Sequence, residues 1–158
     1  MTQANSTPQE SLAQIREIVE EYWQKIGLQP KMKISYDEES GYYQIQLDTD
    51  SPGLLIGYRG ETLSAIQLTI SLLLKHKIGH WIKVIVNVGD YRQKREETLT
   101  ELAHNVAKRV AFSQEVYRFK NLSAPERRIV HLALKDHPQV MTYSEGEGRH
   151  RDLIVAPK

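Results

Sequence analysis

An α+β fold built from two small modules is what this sequence predicts, and three observations carry it. Residues 8–89 alternate between helical and strand periodicity in the order α-β-β-α-α-β, two glycines three apart open the last of those helices, and residues 90–158 bring further helices that end in two short strands. With 158 residues and 40% hydrophobic side chains, the chain can bury a modest core in each module. The predicted boundary lies near Gly89, giving modules 1–89 and 90–158. No Pro/Gly/Ser-rich linker separates them, so a fixed relative orientation is expected.

Residues 1–7 form a polar lead, and Thr7-Pro8-Gln9-Glu10 has the pattern of a capping box with proline at the first helical position. Leu12, Ile15, Val19, Tyr22, Trp23 and Ile26 then recur at helical spacing, and Gly27 supplies the stop. Met32, Ile34 and Tyr36 alternate with polar neighbours, as do Tyr43, Ile45 and Leu47. The segment Asp37-Glu38-Glu39-Ser40-Gly41 between them has turn chemistry, so this is a hairpin. Ser51-Pro52 starts one short helical turn through Ile56. Glu61 to Ile78 is apolar on most sides and reads as a buried helix closed by Gly79, its leucines and isoleucines between 63 and 74 assigned to core. Trp81 to Val88 is rich in β-branched residues, with Ile82, Val84, Val86 and Val88 on one face. Both Trp23 and Trp81 are expected inside.

Asp90 is placed as the N-cap of a helix whose stripe is Leu99, Leu102, Ala103, Val106, Val110 and Ala111, ending near Phe112. Gln114 to Leu122 reads as an extended link. Ser123-Ala124-Pro125-Glu126 is a second capping box, opening a helix to about Lys135. Val140, Met141 and Tyr143 form a strand, Glu145-Gly146-Glu147-Gly148 a turn, and Arg149 to Val155 the last strand.

Composition removes several classes of function. Cysteine is absent, and with it disulfides, cysteine-based zinc sites and thiol catalysis. The start has no cationic lead or apolar segment, and the longest apolar stretch, Leu63 to Leu74, is broken by Ser64, Gln67, Thr69 and Ser71, so neither secretion nor a membrane span is expected. The net charge of +1 is unevenly placed: residues 1–50 carry 4 Lys/Arg against 9 Asp/Glu, and residues 51–158 carry 17 against 11. The basic portion begins where the glycines do. His76 and His80 are separated by Gly79 and lack a third ligand, Glu96, Glu97 and Glu101 read as a solvated helix face, and no nucleophile elbow or phosphate loop of the Walker type occurs. No catalytic residue, metal or cofactor is therefore expected.

Ile56-Gly57-Tyr58-Arg59-Gly60-Glu61 is the most informative stretch. Gly57 and Gly60 lack a Cβ to obstruct an approaching polymer, the loop opens a helix whose free N–H groups favour a phosphate, and Arg59 adds a positive charge. With the surrounding element order, this loop resembles that of the bacterial type II KH domain, which clamps about four nucleotides of single strand. Many such loops carry two basic residues in the middle; here Tyr58 stands at one of them, where base stacking takes the place of a phosphate contact.

In the second module, Arg127 and His131 stand four residues apart on one helical face, where an Arg fork and an imidazole can hold one phosphate. Arg128 is adjacent, Arg149, His150 and Arg151 follow downstream, and Arg118 and Lys120 precede the helix, so several donors are expected to converge on one groove. The run Ser123-Ala124-Pro125-Glu126-Arg127-Arg128-Ile129-Val130-His131, followed by Ser144-Glu145-Gly146-Glu147-Gly148, resembles the Arg-xxx-His half of the bacterial Jag/KhpB family, whose members couple it to a type II KH domain. That resemblance covers residues 8–157 and implies a non-catalytic, cytoplasmic protein binding single-stranded RNA or its DNA equivalent. It further implies an RNA chaperone or post-transcriptional regulator linked to cell elongation and division, with the contacts carried by Gly57, Tyr58, Arg59, Gly60, Arg127, Arg128, His131, Arg149 and Arg151. Some relatives carry an extra N-terminal domain, and roles that depend on it are not expected here. Two alternatives stand beside this reading: a scaffold that pairs with a small KH-only protein, and an RNA-processing enzyme, which the missing catalytic cluster argues against.

Overall fold

The computed structural model describes residues 8–158 apart from the side chains of residues 8–10 and of Arg149, so the first capping box lies outside the described residues. Two compact units divide the chain, one ending at Tyr91 and the other starting at Arg92.

The first unit opens with α1 (Pro8–Lys25), which buries Ile15, Val19 and Trp23. Gly27, at φ 73°, ends it in a Schellman turn: Leu28 N–H donates to the Trp23 carbonyl and Gly27 N–H to that of Gln24, both at 3.1 Å. Strands β1 (Lys31–Asp37) and β2 (Tyr42–Asp48) form the hairpin. The Asp37 carboxylate organises its turn, accepting from the Ser40 hydroxyl at 2.7 Å and from Glu39 N–H at 3.1 Å. Those bonds, the Ser40 hydroxyl foremost, hold the Asp37 carboxyl below its ordinary range. Helices α2 (Pro52–Ile56) and α3 (Glu61–Ile78) then carry the chain over to β3 (Val84–Val88), which joins β2 in parallel, giving the order β1-β2-β3. Strand alternation puts Ile34, Ile45, Leu47, Val84, Val86 and Val88 on one side of this sheet, and they share a core with buried residues of α1 and α3.

Two expectations fail here. α3 is not buried all round: Leu63, Ile66, Ile70 and Leu74 form its core stripe, while Leu68 and Leu72, one turn apart, are 59% and 49% exposed. A three-stranded sheet covers only one side of a helix, so an apolar residue off the stripe has nothing to pack on. Trp81 is likewise 57% exposed, against 4% for Trp23. It precedes Ile82, which is buried, and alternation sends it the other way.

Helix α4 (Tyr91–Ser113) starts at the last residue of the first unit, Tyr91, which packs against the first core; the second unit comprises the rest of α4 with β4 (Tyr117–Phe119), α5 (Ala124–Leu134), β5 (Val140–Glu145) and β6 (Asp152–Pro157). Leu99, Ala103, Val106, Ala107 and Val110 of α4 pack with Val130 and Leu134 of α5 and with Phe119, Val140, Leu153 and Val155 of the sheet. The sheet is antiparallel in the order β4-β6-β5, with Tyr117 opposite Val155 and Thr142 opposite Val155 on the other side. Residues 114–122 are thus not only a link: three of them form a strand, too short for alternation to reveal. The last strand also begins later than expected, because Gly148–His150 coil into a single 3-10 turn. Arg149 and His150 therefore belong to that turn, and Arg151 lies between it and β6.

Glu21 of α1 ties two helices together, accepting from Lys25 Nζ at 2.6 Å and from Lys77 Nζ of α3 at 2.9 Å. The Lys25 hydrogen bond, followed by that of Lys77, lowers its carboxyl to about 2. A depressed carboxylate pKa contributes stability that is complete above the unfolded-state value of 4.5 and is lost as pH falls toward 2. The melting-temperature gap between wild type and Glu21→Gln should therefore be full at neutral pH and narrow as the pH is lowered through 4.5. It should also shrink in high salt, since the pair is solvent-exposed. A gap that stays constant with pH would show that the ion pairs do not hold α1 to α3.

Candidate nucleic-acid interface

In the first unit the glycine pair is required by backbone geometry. Gly57 has φ 70° and ψ −168°, a combination that side-chain-bearing residues avoid, and a Cβ there would overlap the Thr62 side chain. Gly60, left-handed at φ 82° and ψ 13°, is the N-cap of α3, and a Cβ on it would sit 2.9 Å from the Tyr91 hydroxyl oxygen and 3.0 Å from its ring. Arg59 between them is itself left-handed, at φ 50° and ψ 28°. The result is a tight turn that pushes Tyr58 and Arg59 into solvent. Tyr58 is 65% exposed, and the Arg59 guanidinium lies 5.0 Å from its ring centroid, covering one face and leaving the other open. No side chain caps the N-terminus of α3; Glu61 N–H is taken by the Tyr58 carbonyl, and the positive end of the helix lies beside the cation.

Sequence reasoning misses Tyr91. Its ring fills the space behind Gly60, so the loop's conformation depends on a residue thirty-one positions downstream. No sequence pattern marks such a contact.

In the second unit the fixed point is Glu126. It is 8% exposed; its Oε1 accepts from Arg95 Nε at 2.8 Å and its Oε2 from the Ser123 N–H and hydroxyl, both at 2.8 Å. Ser123 Oγ in turn accepts from Glu126 N–H, so the predicted capping box is complete. Arg127 is thereby free of its neighbour: Nη1 donates to the carbonyls of Leu122, at 2.8 Å, and Arg151, at 3.3 Å. One turn later His131 Nδ1 lies 2.6 Å from Thr142 Oγ1, which orients the ring and leaves Nε2 as the nitrogen for a ligand. Thr142 shares the Val140 side of β5, the side that α5 covers, a placement that strand alternation could have supplied.

An open cleft of about 360 Å³ follows, lined by Arg127, Arg128, His131, Tyr143, Ser144 and Arg151 among others. Arg118 does not join it. It is held by Glu145 at 2.6 Å and Asp152 at 3.6 Å, and the Glu145 bond raises its pKa further. The Arg149 side chain lies outside the described residues. None of Arg59, Arg127, Arg128 and Arg151 has a carboxylate partner among the described residues.

Both sites present exposed cations on open surface, and the fold around them is that of a KH domain followed by an Arg-xxx-His domain. Comparison with known families agrees: residues 16–88 match the KH domain of KhpA/KhpB, and residues 97–157 match the Arg-xxx-His domain. The chain is a Jag/KhpB-like protein. It is 32% identical to the RNA-binding protein KhpB of Clostridium symbiosum, over 90% of this chain and 64% of that one. It is 32% identical to KhpB of Bacillus subtilis, over 81% and 62%, and 33% identical to KhpB of Streptococcus pneumoniae serotype 2, over 77% and 37%. The chain thus matches less than two thirds of the length of each. Among the described residues no helix is long and apolar enough to cross a membrane.

The Gly60–Tyr91 contact is open to a double-mutant cycle read by urea denaturation. Gly60→Ala should cost about 1–2 kcal/mol for its left-handed backbone, plus the displacement of Tyr91. In a Tyr91→Ala background the second part should vanish, leaving only the backbone cost. Equal costs in both backgrounds would remove Tyr91 as the residue that requires a glycine there.

Proposed function

We propose that this chain binds single-stranded RNA without catalysing a reaction, and acts in the cytoplasm as an RNA chaperone or post-transcriptional regulator of genes for cell elongation and division. The observation that carries the binding is the contrast between two sets of arginines around these sites. Arg95 and Arg118 are committed to Glu126, Glu145 and Asp152, whereas Arg59, Arg127, Arg128 and Arg151 stand at a glycine loop and a cleft with no carboxylate partner among the described residues. A guanidinium without a carboxylate partner, beside the positive end of a helix or beside an oriented imidazole, is suited to a phosphate. The backbone approach at Gly57 and Gly60 admits a strand, and the open ring face of Tyr58 can stack on a base. In the cleft, Arg127, Arg128, His131 and Arg151 hold a second stretch, with Arg149 on the neighbouring turn. Names of the relatives, all RNA-binding proteins, support this assignment. Two weak sites on one chain strengthen each other through effective concentration.

A second reading, pairing with a small KH-only protein, draws support from the apolar face that Leu68 and Leu72 present on α3. Mass measurement after mixing tests it directly: a complex that Leu68→Lys with Leu72→Lys abolishes would establish the pairing. An RNA-processing activity is tested by a metal-dependent cleavage assay on labelled RNA, where intact substrate is expected.

Binding itself is read by fluorescence anisotropy of a labelled oligoribonucleotide. Tyr58→Asp with Arg59→Asp should leave the circular-dichroism melt unchanged and weaken affinity at least about tenfold, because two carboxylates replace an attraction by a repulsion. Arg127→Ala with His131→Ala should weaken a long strand more than a tetranucleotide, which the glycine loop accommodates alone. Log affinity against log salt should fall with a slope of roughly −3 to −4, as about −0.7 per phosphate over four to six contacts requires. Unchanged affinity in both double variants, with normal folding, would sink the assignment of these sites.

A further inference from the structure

We infer that Trp81, with Lys75 and Lys83, forms an additional stacking site for a single strand, at the end of α3 away from the glycine loop. This rests on the reading of the chain as a single-strand binder and extends it to residues outside both sites above. Trp81 lies just beyond the C-terminus of α3, in the segment between Gly79 and β3, with 57% of its surface exposed. The Lys75 ammonium sits 4.5 Å from its ring centroid, and that of Lys83 lies 5.5 Å from the ring of Tyr42, the residue before the Tyr43–Val84 pair of the parallel ladder. Ile82 points into the core between them, so Trp81 and Lys83 both project outward.

Charge selects the occupant. Residues 62–89 hold Lys75, His76, Lys77, His80 and Lys83 and not one Asp or Glu. Glu21 reaches across from α1 to take Lys77, but Lys75 and Lys83 are placed on aromatic faces and paired with no carboxylate among the described residues. A large exposed indole carrying a cation on one face, in a stretch of sequence with no carboxylate of its own, matches what a single strand offers: a flat base for the ring and a phosphate for the ammonium. An acidic peptide would use the lysines and leave the indole wet. The α3 helix has 18 residues, so Trp81 stands about 27 Å along its axis from the glycine loop. A strand held at the loop must therefore extend well beyond the tetranucleotide that the loop clamps.

Trp81 and Trp23 are the only tryptophans in the chain, and Trp23 is buried, which makes intrinsic fluorescence a direct reporter. The probes are a uridine dodecamer and a uridine tetramer, each used labelled for anisotropy and unlabelled for tryptophan emission, with polyglutamate as a base-free polyanion. The dodecamer should quench wild-type emission. It should not quench Trp81→Phe, whose remaining emission comes from Trp23. Trp81→Ala should weaken the dodecamer by roughly five- to a hundredfold, the range for losing one stacked base, and Trp81→Phe should recover much of that because it keeps a ring. Lys75→Gln should weaken the dodecamer less and flatten its salt dependence. Anisotropy that reports dodecamer binding, with no quenching and no loss in Trp81→Ala, would overturn the inference and leave the general reading intact. Quenching by polyglutamate equal to that by the dodecamer would also overturn it. No anisotropy change with either RNA would overturn the general reading and this inference with it.

Discussion

The buried carboxylate of Glu126 is the point on which the second unit turns. A carboxylate withdrawn from water demands a full set of donors, and it receives them from two directions: the Arg95 guanidinium of α4 and the N–H and hydroxyl of Ser123 at the start of α5. One side chain thus caps α5, fixes its first residue and ties it to α4. Because helix phase follows from where the helix starts, the same bonds decide that Arg127 and His131 face the cleft. Arg127 is then held by two backbone carbonyls, which orient a guanidinium while leaving its charge uncompensated.

The first unit reaches a comparable end by steric means. Gly57 and Gly60 are not merely permissive there: one has Thr62 and the other Tyr91 where a Cβ would stand. The loop is thereby wedged between a residue of α3 and the first residue of α4. Its two middle side chains have nowhere to go but outward, and the Arg59–Tyr58 stack makes them a single cationic and aromatic unit.

Much of this is legible in the sequence wherever the determining contact is local. The glycine pair, the second capping box, the hairpin turn centred on Asp37 and the Arg127–His131 spacing all act within about one helical turn, and pattern alone brings them out. What pattern cannot supply depends on partners far along the chain. Sequence places Arg118 in the groove, but it pairs with Glu145, 27 residues away, and Arg95 finds Glu126 across 31. Residue type assigns Trp81 and Leu68 to core; whether an apolar side chain is covered depends on how many layers the unit has, and a helix on a single small sheet has one covered side. Strand β4 escapes for a simpler reason, since three residues carry too little alternation to be told from a link.

The distribution of carboxylates explains which cations remain available better than the count of cations does. A net charge of +1 says nothing of a polyanion partner, and the excess of basic residues after position 50 says only where to look. In the second unit, acidic residues are plentiful but several are already matched, Glu126 with Arg95 and Glu145 and Asp152 with Arg118, so they withdraw particular arginines and leave the cleft positive. In the first unit, the stretch from Thr62 to the end of β3 has no carboxylate of its own, and the α1 helix lends one, Glu21, which takes Lys77 alone from that stretch. Each unmatched cation is then left beside an aromatic ring, a backbone carbonyl or open solvent, none of which cancels its charge. A phosphate would meet those cations without first having to displace an internal anion, and that is the condition under which counterion release can favour binding.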